Sequence, residues 1–171
     1  MKTIAIIIAL LTFLSASSQA RTINVPEDFE HIHNAIDASE DGDTVLVGRG
    51  VYEANVNFEG KLITLASNFL LTRNRRDIDS TIIDANERGS VVRFDSGEDE
   101  NARLIGFTLT RGAGSGEIGG TIAGGGVHCL RSSPTLEHLV ITDCRANVGA
   151  GIFAQIASPT ITDVIFRYNQ S

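Results

Sequence analysis

Apolar residues in this chain come in short runs, cut at close intervals by turn-forming residues. "TVLV" (44–47), "NVNF" (55–58), "KLITLA" (61–66), "STIID" (80–84), "SVVRF" (90–94) and "RLIGFTL" (103–109) are separated by short stretches that contain Gly, Asn, Asp or Ser. Runs this brief, rich in Val, Ile, Leu, Phe and Thr, predict strands rather than helices. One stretch departs from the pattern: in "PEDFEHIHNAIDASEDGD" Phe29, Ile32, Ala35 and Ile36 recur at helical spacing, and Gly42 ends the run.

The strand pattern becomes a repeat near its end. "GGVHCLRSSPTLEHLVITDC", from Gly125, lies over "AGIFAQIASPTITDVIFRYN", from Ala150, without a gap at an offset of 25 residues. Val127 meets Ile152, Pro134 meets Pro159, and Leu136, Leu139 and Ile141 meet Ile161, Val164 and Phe166. An earlier copy, "IGFTLTRG", fits once a seven-residue insertion is allowed in the glycine-rich stretch after it. A unit of this size cannot bury its own apolar face, so successive copies must stack around one continuous core. Coils of about 25 residues with three short strands each are the size of a single-chain parallel β-helix, and residues 44–171 supply about five. The amphipathic helix then covers the first coil, within a cap at 21–43. The last coil breaks off at "RYNQS" with no second cap, which predicts that the rest of a longer chain, or a partner, covers that end.

"INVPEDFEHIHNAIDASEDGDTVLVGRGVYEANV", followed by "KLITLAS" and "STIIDAN", resembles the cap and first coils of the right-handed parallel β-helix proteins of the pectin-lyase-like superfamily. The later repeats look like those of large bacterial secreted and surface β-helix proteins. The resemblance spans the chain after residue 20 and implies the fold; it leaves function open, because this scaffold hosts many activities. Pectinesterases carry an element similar to "GVYEANV", but their Gln- and Asp-containing motifs do not follow "STIIDAN". In pectate lyases acidic side chains hold calcium and an Arg or Lys takes a proton beside a uronate carboxylate. The corresponding types here are Arg93, Asp95, Arg103 and Asp143, in no diagnostic motif.

The first 20 residues have a lysine at position 2, an apolar run at 4–14 and small residues at Ser18 and Ala20. That is the layout of a secretory signal rather than a membrane span, and it predicts export to the cell surface, the medium or the periplasm. Without Lys2 the chain has 13 basic and 21 acidic residues, a net charge of −8. Such a surface repels nucleic acid, and the one basic cluster, "TRNRRD" with Arg73, Arg75 and Arg76, reads as a solvated loop. A third reading makes residues 73–79 or 112–126 a contact surface for a protein partner.

Candidate chemistry is sparse. His128, Cys129, His138 and Cys144 suggest a zinc site, but alternation along a strand sends His128 outward when Val127 and Cys129 face the core, so no metal is assigned. Cys129 and Cys144 either form a disulfide, as an exported protein allows, or fill the core as thiols. Two residues apart on a helix, His31 and His33 point about 200° from one another. "GSGEIG" satisfies G-x-G-x-x-G, yet no helix follows to receive a pyrophosphate, and residues 112–126 read as a flexible loop at a coil corner. Aligning "VVRF", "GVHC" and "GIFA" places Arg93, His128 and Phe153 at one outward position on nearby coils, where a cation, an imidazole and a ring could contact a sugar chain. The chain therefore reads as an exported structural or adhesive module, or one contacting extracellular polysaccharide. The alternative is a polysaccharide lyase, epimerase or hydrolase whose catalytic coils lie partly beyond Ser171, with calcium if it acts on polyuronates.

Overall fold

A computed structural model describes residues 19–118 and 120–171. The secretory signal expected at 1–20 thus lies almost wholly outside the described residues. Beyond it, three parallel sheets share the chain. The first orders β1 (Thr22–Val25), β2 (Thr44–Val47), β5 (Thr64–Ser67), β8 (Arg103–Ile105), β13 (Thr135–Glu137) and β16 (Thr160–Thr162). The second holds β3 (Gly50–Glu53), β6 (Thr81–Asp84), β9 (Thr108–Thr110), β14 (Val140–Thr142) and β17 (Ile165–Arg167). The third holds β4 (Val56–Asn57), β7 (Val92–Phe94), β12 (Val127–Leu130) and β15 (Ile152–Gln155). From β2 onward the chain visits the sheets in turn and each strand pairs with its counterpart in the next coil, so this is an all-β parallel solenoid.

In-register stacking builds the core as columns of like side chains. In the first sheet Ile23, Val45, Leu65, Leu104, Leu136 and Ile161 pair in sequence. The middle four are wholly buried. Ile83, Leu109, Ile141 and Phe166 form the equivalent column of the second sheet, and Val56, Val92, Val127 and Ile152 that of the third. Each wholly buried Leu or Ile contributes roughly 1.5–3 kcal/mol. Ile161 is 47 % and Phe166 51 % exposed, because among the described residues no strand pairs with the outer edges of β16 and β17. At the other end the helix α1 (Ile32–Ala38) adds Ile32, Ala35 and Ile36 to the same core and lies against β1, β2 and β4.

Corners between the first two sheets are single residues in the left-handed region: Gly106, His138 and Asp163. Backbone bonds join them, from Gly106 N–H to Glu137 O and from His138 N–H to Thr162 O, both 3.0 Å. Gly106 is required on a second count, since a Cβ there would lie 2.7 Å from Ser67 Oγ and 2.8 Å from Phe69 Cβ.

Coil length is less uniform than about 25 residues. Thr135 pairs with Thr160 and Val127 with Ile152 at that step, but Leu65 pairs with Leu104, 39 residues on, and Val92 with Val127, 35 on. The step from Thr108 to Val140 is 32, the repeat plus the seven-residue insertion. The extra chain is structured. The "TRNRRD" run, expected as a solvated loop, instead joins two short helices: Thr72 ends α2 (Phe69–Thr72), and Arg75, Arg76 and Asp77 begin α3 (Arg75–Ser80). Phe69 and Ile78 from this insertion cover the outward Ala66 and Ile105 and meet Val140 in a second, smaller core. The glycine-rich stretch at 112–126 is likewise no simple loop: β10 (Gly116–Ile118) and β11 (Thr121–Ala123) form an antiparallel hairpin.

Column packing makes a direct prediction for chemical denaturation. Leu104→Ala should cost about 3 kcal/mol, whereas Ile161→Ala, in the same column but uncovered, should cost under about 1 kcal/mol. Equal losses would contradict the column.

Candidate functional site

The outward row expected on the third sheet exists, in register: Arg93 pairs with His128 and His128 with Phe153. The His128 and Phe153 rings stack, with centroids 5.5 Å apart and planes 15° apart. Its exposure differs from the expectation. His128 is not solvent-facing but only 4 % exposed. The bend at Gly124 passes over it so closely that a Cβ there would lie 2.7 Å from His128 Cβ. The glycine-rich segment thus acts as a lid on the strand rather than as the wall of an open cleft.

Burial pushes the His128 imidazole below its usual pKa, Asp95 pulls it back up and Arg93 pushes it further down. Its Nδ1 has no hydrogen-bond partner among the described residues, and neither does the buried Nε of Arg93. Arg93 Nε lies 3.2 Å from Asp95 Oδ2, close enough for an ion pair but without hydrogen-bond alignment. One face of the imidazole is taken by Phe153, the other atoms are enclosed, and the guanidinium charge is matched by Asp95. As a sugar platform the row offers the half-buried Phe153 and the exposed part of Arg93.

The residues that resemble lyase machinery do not converge. Arg93 and Asp95 belong to the third sheet and its end, Arg103 to the first sheet, where it pairs with Glu137, and Asp143 to the corner after the second. Cys129 and Cys144 are free thiols, not a disulfide. Cys129 stacks under Phe94 in the third-sheet column and Cys144 follows the second-sheet strand, so each fills the core of its own face. Burial pushes Cys129 up to about 12 and Cys144 up to about 11. His31 and His33 are closer than helical spacing implies. His31 precedes the helix with extended backbone, and the two rings stack with centroids 5.4 Å apart.

Sequence reasoning passed over a more open site. His138 and Asp163 occupy the same left-handed corner in successive coils, and His138 Nδ1 lies 3.3 Å from Asp163 Oδ2. The imidazole also packs on Phe69, centroid to centroid 4.7 Å. Between this corner and the helical insertion lies a groove of about 530 Å³, floored by Phe69, Ile78, Val140 and Ile165 and edged by Arg75, His138 and Asp163. The signal was available, since an offset of 25 residues maps His138 onto Asp163. Stacked equivalents touch, and the change from His138 to Asp163 between copies is what makes the pair.

Two measurements follow. The folded state holds His128 below its free pKa of 6.5, so its contribution is present above that pH and is lost as pH falls, when the unfolded chain takes up a proton the folded one resists. A separate acid limb comes from carboxylates such as Asp84. Burial alone would raise it, but the Arg111 guanidinium and Asn86 N–H hold it below its usual 3.8, so its contribution disappears only below about that pH. His128→Phe should therefore flatten the loss of urea midpoint between pH 7.5 and 5 while leaving the lower limb in place. Native protein at pH 8 should leave both thiols unreactive toward a disulfide reagent, and denatured protein without reductant should show two thiols per chain; none would mean the pair had oxidised.

No family model, curated protein or solved structure matches the chain, so a functional reading rests on its own residues.

Proposed function

We propose that the chain is a module of an exported, right-handed parallel β-helix protein of the pectin-lyase-like kind, serving a structural or adhesive role in contact with extracellular polysaccharide. On this reading β1 and α1 are the N-terminal cap. The observation that carries it is the in-register stacking of three parallel sheets around one continuous core, against which an amphipathic helix buries Ile32, Ala35 and Ile36.

Along the stack, Arg103–Glu137, Arg111–Asp84 and Arg145–Glu87 tie one coil to another, an arrangement suited to a scaffold.

The test is a glycan array of the chain without residues 1–20, with and without calcium, read with ultraviolet detection of unsaturated uronates; no binding in either condition contradicts the polysaccharide contact. Binding without product fits the adhesive reading, while product would replace it with a lyase.

A further inference from the structure

We infer that the groove beside His138 is a binding site for a small carboxylate with an aromatic or otherwise apolar body. The inference is independent of the polysaccharide reading and rests on the helical insertion, which the repeat itself does not need.

The floor of the groove is apolar and partly aromatic, from Phe69, Ile78, Val140 and Ile165, so the body of its occupant must be apolar too. The rim sets one cation, Arg75, beside His138 and Asp163, in a protein whose net charge is −7. Arg73, Arg75 and Arg76 all belong to the insertion, and among the described residues none of the three holds a carboxylate. Elsewhere Arg21, Arg49, Arg103 and Arg111 are each matched to an acid. Asp77, the acid next to them in sequence, is already engaged by Arg49 and by the Thr72 hydroxyl, at 2.7 and 2.5 Å. Asp79 is exposed on the same short helix, and Asp163 Oδ2 lies 3.3 Å from His138 Nδ1.

Arg73 lies over the Phe69 ring, 5.7 Å from its centroid, and Arg75 lines the groove directly. His138 supplies a second polar group, as its Nε2 has no partner among the described residues while Asp163 lies against Nδ1. A carboxylate at the rim would meet the Arg75 guanidinium, with its ring laid on Phe69 and Ile78. A planar guanidinium suits that role, because it can hold both oxygens at once. The volume, about 530 Å³, falls within the range of small-molecule sites and exceeds what a single ring needs.

The experiment titrates the full chain without residues 1–20 with phenylacetate, and with phenylacetamide as the neutral match, following His138 ring protons and the Phe69 ring by NMR. Phenylacetate should bind saturably and shift both residues, at least about tenfold more tightly than the amide. Arg75→Gln should remove most of that preference, while Arg167→Gln, an unpaired arginine outside the groove, should leave it unchanged. Equal affinity for acid and amide, absence of saturation, or the same response in both variants would overturn the proposal. Because no polysaccharide enters the assay, its result does not depend on whether the glycan array finds a ligand.

Discussion

Everything in this molecule depends on one constraint: no coil can bury its own apolar residues, so each must lie in parallel register on the next. Leu104 is buried because Leu65 and Leu136 flank it, and Ile161 is exposed because only Leu136 does. Hydrogen bonding obeys the same rule, since every strand edge within the stack is satisfied by the neighbouring coil. Core and backbone therefore cannot be traded separately. The register that aligns the columns also aligns the corners, which is why left-handed residues fall at equivalent places in successive coils.

That constraint explains which parts of the structure were legible. The pairing of Val127 with Ile152 and Leu136 with Ile161 could be read directly, because a repeat without gaps is a register written in sequence. The helical insertion could not. Helices of four and six residues have no stability of their own, and α2 and α3 exist because Phe69 and Ile78 find Ala66, Ile105 and Val140 beneath them, with Asn74 accepting a bond from Arg76 N–H. Three arginines in a short run gave no hint of that floor. The burial of His128 was hidden for a related reason: strand alternation sets the direction of a side chain but not whether another segment, here the bend at Gly124, crosses above it.

The two candidate sites differ in how they arise. The Arg93–His128–Phe153 row belongs to the scaffold and spends its chemistry internally, through stacking, an ion pair and burial. The groove beside His138 comes from an addition to the scaffold, and among the described residues its Arg75 forms no ion pair with a carboxylate. Local decoration of a repetitive frame is how solenoids acquire individual properties without disturbing their cores. Insertions at corners, from the hairpin at β10 and β11 to the helices at 69–80, lengthen coils without moving a single column out of line.

Parallel pairing also sets how this molecule would carry load. The hydrogen bonds between coils lie across the strands and therefore along the direction of stacking. A pull on the two ends of the stack loads those rows in series, so the weakest row gives way first and the chain lengthens one coil at a time. A push from the side meets all three sheets together. The protein is thus extensible in steps along one direction and stiff across it, a mechanical polarity that follows from its strand order alone.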